Sequence, residues 1–323
     1  MRLNILRAPR CPHPLNILAD TPASPPPTRL DAPAVARLQS RLARAEPPWL
    51  HQEIARRMAE RLPILRLQPA RVIDWWSTAG AGRALLQARY PHAELLAIET
   101  AARRAALEAC TSPWRRQLGR LVTGRKTPAV LPDDAPPPPG QLLWSNMMLH
   151  WCGDLRGLLA HWHAALEVEG MLMFSCLGPD TLASLRRVYR AAGWGEPTCS
   201  FMDMRDLGDA LVSAGFADPV MDMELLTLTW DSPAALLAEL RSLGGNTSPQ
   251  RHTGLRTPAW KTQLDKALVD ELGDSAGRLR LEFEIVYGHA IRAVTRAPVK
   301  ASTEISLQTL REMTRKRSGD ATP

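Results

Sequence analysis

The chain has 323 residues, 45% hydrophobic and 23% charged, with a formal net charge of +7. That length suits one large domain or two small ones with a sizeable core, and no apolar run reaches the roughly 20 residues of a membrane span. The charge argues against a nucleic-acid binder by its position: residues 1–33 carry net +2 and residues 296–323 net +3, leaving +2 for residues 34–295, whereas a binder clusters basicity on a folded face.

In chain order, residues 1–33 are polar and proline-rich, with Ser24–Pro27 reading SPPP, and are expected to be a disordered tail. The start has several arginines but no long apolar segment before a small-residue cleavage site, so it does not read as a secretory signal; an organelle transit peptide is the second reading. From Ala34 to Leu62 the pattern is helical, with Leu38 and Leu42 on one face and Leu50, Ile54 and Met58 continuing at a spacing of four. Pro47-Pro48 divides it into two helices. Strands and helices then alternate: strand Val72–Trp75, helix Gly82–Arg89, strand Glu94–Glu99, helix Ala101–Cys110, a weak strand near Leu121–Val122, a stiff loop Leu131–Gly140, strand Leu142–Ser145, helix Trp151–Val168 and strand Met171–Cys176. Such alternation means βαβ units and a parallel sheet.

After Cys176 the order changes. Helices are expected over Asp180–Ala192, capped by Asp180 or Thr181, and over Met204–Ala214. A long strand Val220–Trp230 follows. Ser232-Pro233 opens a helix that stops at Gly244-Gly245, and Thr257-Pro258 opens another. Leu281–Val294 is a β-branched strand. The last two strands read as an antiparallel hairpin on the sheet edge, with residues 232–277 inserted between them as helices. The domain is thus expected over 34–295, followed by a basic tail at 296–323. Five cysteines without a CxxC pair indicate a reducing compartment and no zinc ribbon. His161 and His163 sit two apart in a helix and point to different faces, which argues against a shared metal.

The stretch after the first strand reads Trp75-Trp76-Ser77-Thr78-Ala79-Gly80-Ala81-Gly82. This junction is where α/β proteins hold nucleotide-like cofactors, yet it carries only Gly80-x-Gly82, a weak motif that a plain glycine turn also explains. Glu99 ends the second strand, 25 residues after Asp74. A carboxylate there suits the two hydroxyls of a ribose; the plain alternative is a solvent-facing acid.

The strings LLWSNMMLHWCGDL (Leu142–Leu155), LMFSCLGPDTLASLR (Leu172–Arg186), FMDMRDLGDALVSAGFADPVMDMELLTLTW (Phe201–Trp230), GGNTSPQRHTGLRTP (Gly244–Pro258) and FEIVYGHA (Phe283–Ala290) together resemble the malonyl-[acyl-carrier protein] O-methyltransferases of biotin synthesis, over about Trp49 to Ala293. The resemblance implies a class I methyltransferase fold: a doubly wound, Rossmann-like α/β sheet, mostly parallel, with one reversed strand near its end. It also implies S-adenosylmethionine (SAM) as cofactor and malonyl-acyl carrier protein as partner. Asp74 matches the acid ending the first motif, Trp76 and Thr78 fall on the first two glycines of its GxGxG loop, and Gly80 on the third. Glu99 matches the ribose-binding acid. The GD pair before the next Leu-Pro is absent, leaving Asp133 or Asp134 for the adenine. The cofactor-binding set implied is Asp74, Trp76, Gly80, Gly82, Glu99 and Asp133. One of the two tryptophans belongs to the core; the other stacks on adenine or fills the space where SAM would lie.

Methyl transfer from a sulfonium is an in-line displacement, and a carboxylate acceptor with a pKa near roughly 4 is already ionised at neutral pH, so no general base is needed. Alignment of the reactants carries the catalysis. For the acceptor, Arg251 is the first candidate and Arg256 the second, because a planar guanidinium binds a carboxylate bidentately. Tyr287 and His289, two apart on a strand, face one side and are expected to line the acceptor pocket; a Tyr-His pair satisfied in the core is the alternative. Asn146, in the family's Ser-Asn pair, is expected to contact cofactor or acceptor, or to cap a helix. The expected setting is the cytoplasm, with no nucleic acid, membrane or metal. Two other readings stand beside the enzyme: a methyltransferase-like assembly or regulatory protein without SAM, which the tryptophan at a glycine position favours, and an arginine hydroxylase, since related complex I assembly proteins share the GPDT and GDAL strings.

Overall fold

The computed structural model describes residues 30–42, 45–110 and 129–294. The basic C-terminal tail, the strand expected near Leu121–Val122 and most of the N-terminal tail lie outside these.

Helix α1 (Ala32–Leu42) begins inside the expected tail. Asp31 caps it, its Oδ1 accepting from the Ala34 amide at 2.7 Å, and Leu38 and Leu42 are its buried face. After Pro47-Pro48, α2 (Trp49–Ala59) buries Leu50, Ile54 and Met58 at the expected spacing. The alternating region gives β1 (Arg71–Trp75), a single helical turn α3 (Ser77–Gly80), α4 (Arg83–Arg89), β2 (Glu94–Glu99), α5 (Ala101–Cys110), β3 (Ala129–Pro132), β4 (Gly140–Ser145), α6 (Leu155–Ala165) and β5 (Leu166–Leu177). The rest comprises α7 (Ala183–Ala191), α8 (Met204–Ser213), β6 (Phe216–Trp230), α9 (Pro233–Ser242), α10 (Pro258–Leu272) and β7 (Leu279–Arg292).

The seven strands form one sheet in the order β3-β2-β1-β4-β5-β7-β6. Five run parallel by direct pairing. β7 is antiparallel to both β5 and β6, so β6 points with the others and β7 is the reversed strand. The expected antiparallel pair thus lies at the sheet edge: β7 lies between β5 and β6, and β6 forms the edge. The inserted helices are α9 and α10, capped by Ser232 and Thr257 with proline at their first turns. Both sheet faces are covered. Leu50, Ile54, Trp144, Leu268 and Phe283 belong to one core cluster, and Ile73, Trp75, Trp162, Phe174 and Leu211 to the other. This is the doubly wound arrangement expected of strands buried on two sides.

Several element boundaries differ from the sequence reading, and three of them have a clear local cause. The helix expected over Trp151–Val168 starts only at Leu155, because the Asp154 carboxylate caps it by accepting from the Gly157 amide at 2.9 Å; it ends at Ala165 because Leu166 already pairs with Gly140 in the sheet. Neither Asp180 nor Thr181 caps α7. Instead the Asp180 amide donates to Glu284 Oε2 at 2.6 Å and the Thr181 hydroxyl to the Glu284 carbonyl at 3.0 Å, which ties this turn to β7. Finally, Leu131 and Pro132 belong to a strand that pairs with β2, with Pro132 opposite Glu99.

Within the reversed pair, Phe174 sits opposite Gly288, and a side chain at Gly288 would overlap the Phe174 ring. Gly288→Ala is expected to destabilise the fold by about 1–3 kcal/mol through overpacking. The check is a lower denaturant midpoint at unchanged slope; an unchanged midpoint would contradict this packing.

Candidate active site

In sheets of this kind ligands lie beyond the C-terminal ends of the strands, where the strand order reverses. Here that place is the end of β1 and β4. β1 delivers Asp74, fully buried, and then turns sharply: Trp76 and Ala81, on either side of α3, both have left-handed backbone, at φ 55° and 58°. A non-glycine residue in this region costs roughly 1–2 kcal/mol, so the surroundings must hold the turn in place.

Asn146, just after β4, is one holder. It is fully buried. Its Nδ2 donates to the Gly80 carbonyl at 2.6 Å and the His51 carbonyl at 2.8 Å, while its Oδ1 accepts from the Ser175 hydroxyl at 2.7 Å. All its hydrogen-bonding atoms are engaged within the protein, and it holds the turn in place. Gly80 must be small because a Cβ there would lie 3.3 Å from the Asn146 carbonyl, and a side chain at Gly82 would overlap the Trp144 indole. His51 supports the same turn, its Nδ1 2.8 Å from the Ala79 carbonyl. Burial keeps its imidazole neutral, pulled down to about 4.

The turn then closes over its own acids. Glu99 Oε1 accepts from the Thr78 amide at 2.7 Å and the Thr78 hydroxyl at 2.6 Å. Trp76 Nε1–H donates to Asp133 Oδ2 at 2.9 Å. Trp75 is the core tryptophan, edge-on to Trp162 at 6.2 Å. The space left beside Trp76, Thr78, Glu99, Gln39 and Leu42 is about 20 Å³, room for about one water. Asp74 Oδ2 accepts from the Ser77 hydroxyl at 2.5 Å, but its Oδ1 is buried without a partner. Burial raises the Asp74 carboxyl to about 7 and also raises that of Glu99, against the opposing bonds from Thr78.

The structure thus gathers all six residues of the expected cofactor set around one turn, and adds Thr78, Ser77, His51 and Ser175, which the sequence reading had given no role. The four acceptor candidates are not together. Asn146 follows β4 and braces the turn from outside. Arg251 pairs with Asp31 at 2.8 Å in a separate cleft of about 440 Å³, beside Arg37 and Arg41 of α1. Arg256 stacks on Trp260 at 4.4 Å. Tyr287 is buried away from the turn, its hydroxyl donating to Glu224 at 3.2 Å with the Arg61 guanidinium 4.0 Å over its ring. His289 follows it on the same side, and neither lines the three cavities described here. In place of the expected Tyr-His pocket, a cavity of about 90 Å³ lies beyond the ends of β4 and β5, lined by His150, Leu177, Cys199, Phe201 and Phe283 among others.

No family model matches the chain. Curated relatives do. A malonyl-[acyl-carrier protein] O-methyltransferase of Gallionella capsiferriformans is 37% identical over 252 residues, 76% of this chain and 85% of that protein. One of Laribacter hongkongensis is 39% identical over 254 residues, 76% and 84% of the two chains. One of Nitrosospira multiformis is 34% identical over 285 residues, 81% and 91%. Among solved structures, the YcgJ protein from Bacillus subitilis superposes with a TM-score of 0.48 at 9% identity, covering 74% of this chain and 99% of that one; the fold described above rests on the strand order itself.

The buried acid gives a pH signature. Asp74 titrates near 7 in the fold and near roughly 4 in the unfolded chain. A raised carboxyl contributes stability that is fully present below the unfolded value and lost as pH rises through the folded one. Asp74→Asn should therefore gain stability over the wild type between pH 4 and pH 8, seen as a widening difference in denaturation midpoint. A constant difference across that range would count against an acid buried in this way.

Proposed function

Because the chain belongs to the malonyl-[acyl-carrier protein] O-methyltransferase family, we propose that it transfers a methyl group to the free carboxylate of a malonyl thioester on acyl carrier protein, as a step of biotin synthesis. The observation that carries this is 34–39% identity to three such enzymes over about three quarters of the chain or more. The reversed β7 and the inserted α9–α10 pair agree with the expected class I architecture. No helix among the described residues is long and apolar enough to cross a membrane. A cytoplasmic setting goes with this reading, and Cys152, Cys176 and Cys199 are free thiols.

SAM is the methyl donor this reading names. The donor set at the turn suits its nucleoside: acids end β1 and β2, and one oxygen of Asp74 lacks a partner. The space does not suit it. A cavity of about 20 Å³ does not hold a nucleoside, the ribose-binding position of Glu99 is taken by Thr78, and the Trp76 indole is bonded to Asp133. SAM does not fit this closed arrangement, and entry requires both contacts to part.

What the chain itself does for the acceptor is positional. A malonyl carboxylate is ionised at neutral pH, so no side chain has to take a proton from it. The apolar walls beyond β4 and β5 exclude water around the acyl end, and holding reactants in line supplies up to about 7–11 kcal/mol in the best cases. Asn146 and His51 fix the turn after β1.

Titration calorimetry with SAM tests the donor side. The wild type should bind, Glu99→Ala should bind more weakly, and Trp76→Gly should bind about tenfold more tightly, because the closed state reduces apparent affinity by the fraction that is open. A methyl ester formed on malonyl-acyl carrier protein, read by mass spectrometry, tests the acceptor side. No binding by the wild type or by Trp76→Gly would overturn the donor assignment and favour the assembly or regulatory reading, which the closed turn supports.

A further inference from the structure

The three arginines outside the turn converge on one cleft. Arg37 and Arg41 are one helical turn apart on α1, so they share a face, and both are exposed. Arg251 comes from the loop after α9 and lines the same cleft of about 440 Å³, together with Gly244–Thr247. Their existing bonds leave positive charge over. Arg251 is paired with Asp31 and donates to the Ser248 carbonyl at 2.8 Å. Arg41 donates to the Gly244 carbonyl. Among the described residues Arg37 has no ion pair. Among the described residues, three guanidiniums thus face one carboxylate, that of Asp31.

Gly245 and Asn246 line this cleft and also the inner cavity of about 90 Å³, so the two adjoin. The inner cavity is of a different character. Leu177, Leu182, Leu185 and Phe283 are apolar walls, and His150 Nε2 and Thr198 Oγ1 are buried polar atoms of its lining. The Leu177 amide lies 3.4 Å from His150 Nδ1, which leaves the proton on Nε2, and that atom is buried without a partner. Burial keeps the imidazole neutral, so Nε2–H is a donor awaiting an acceptor. A buried unpaired donor is costly and calls for a ligand or ordered water.

We propose that the cleft and the inner cavity together take a phosphopantetheine arm: the phosphate sits on Arg37, Arg41 and Arg251, and the acyl-thioester end enters the inner cavity toward His150. This rests on the methyltransferase reading above and assigns Arg251 to the phosphate in place of the malonyl carboxylate. The chemistry fits at both ends. Guanidinium forks bind phosphate oxygens bidentately, and the narrow, apolar part of the site matches the uncharged pantetheine chain up to its thioester, with the His150 Nε2–H as donor to the acyl oxygens beyond it.

The arm exists both on carrier protein and in coenzyme A, and the phosphate is the shared feature. Calorimetry with 4′-phosphopantetheine and with pantetheine separates it from the rest of the arm. The wild type should bind the phosphorylated form about tenfold or more tightly, a difference of about 1.4 kcal/mol. The double variant R37A/R41A should lose that preference while binding pantetheine as before; R37A alone, which breaks no bond to a described residue, should lose part of it. Equal binding of the two ligands by the wild type, or equal weakening of both in the variants, would overturn the proposal. Methylation of malonyl-carrier protein, malonyl-coenzyme A and malonyl-pantetheine then locates the source of the arm. Methylation without phosphate preference sinks the arginine site and leaves the enzyme assignment standing; phosphate preference without methylation of any thioester does the reverse.

Discussion

The side chain of Asn146 is the contact on which the site depends. A fully buried primary amide must find partners for two donors and an acceptor, and a buried polar group left unpaired costs about 1–3 kcal/mol. Here the partners come from three separate segments: Gly80 after β1, the His51 carbonyl in α2, and Ser175 in β5. Ser175 Oγ also accepts from the Met147 amide at 3.1 Å. One amide thereby fixes the loop after β1, the loop after β4 and the helix that covers them. The strained residues Trp76 and Ala81 persist because Gly80, lying between them, is held from outside.

That rigidity has an energetic corollary. Closing the turn forms two bonds from Thr78 to Glu99 and one from Trp76 to Asp133. Hydrogen bonds to charged groups contribute about 1.5–3 kcal/mol each, although burial raises the Glu99 carboxyl and discounts its share. A ligand shifts such an equilibrium only by its difference in affinity for the open and closed forms. The free oxygen of Asp74 and the released Glu99 are where that difference would arise. Thr78 and Trp76 thus engage Glu99 and Asp133 internally, while one oxygen of Asp74 stays unpaired.

Much of this was readable from residue order, and the failures have physical causes. The strands around Asp74 and Glu99 announced themselves as apolar runs ending in an acid, and α9 and α10 as Ser-Pro and Thr-Pro caps. The ends of α6 were not readable, because Trp151 and Val168 match the helical period as well as Leu159 does; only the Asp154 cap and the pairing of Leu166 with Gly140 decide it. Tyr287 and His289 do share a face, but period-two spacing does not say which face, and Glu224 and Arg61 claimed the tyrosine. Thr78 stands in the sequence where the resemblance expects a glycine; that its amide and hydroxyl would bond Glu99 required the fold. The i, i+4 spacing of Arg37 and Arg41 was a legible signal, whereas their meeting with Arg251 depends on a loop some two hundred residues away.

The position of β6 at the sheet edge bears on how the molecule behaves in company. Fifteen residues of strand with one side unpaired would offer a long template for another chain's strand. The first half of β6 spoils that template. Its register slips between Ala217 and Val220, Pro219 supplies no amide hydrogen, and Asp218 has a left-handed backbone at φ 49°. Asp222 and Glu224 then add negative charge, tethered by Arg61, just beyond α2, and by Arg57 of α2. The opposite edge, β3, has only four residues. β6 is thus a poor template for edge-to-edge pairing, which offsets the exposure of Val220, Met223 and Leu225 along it.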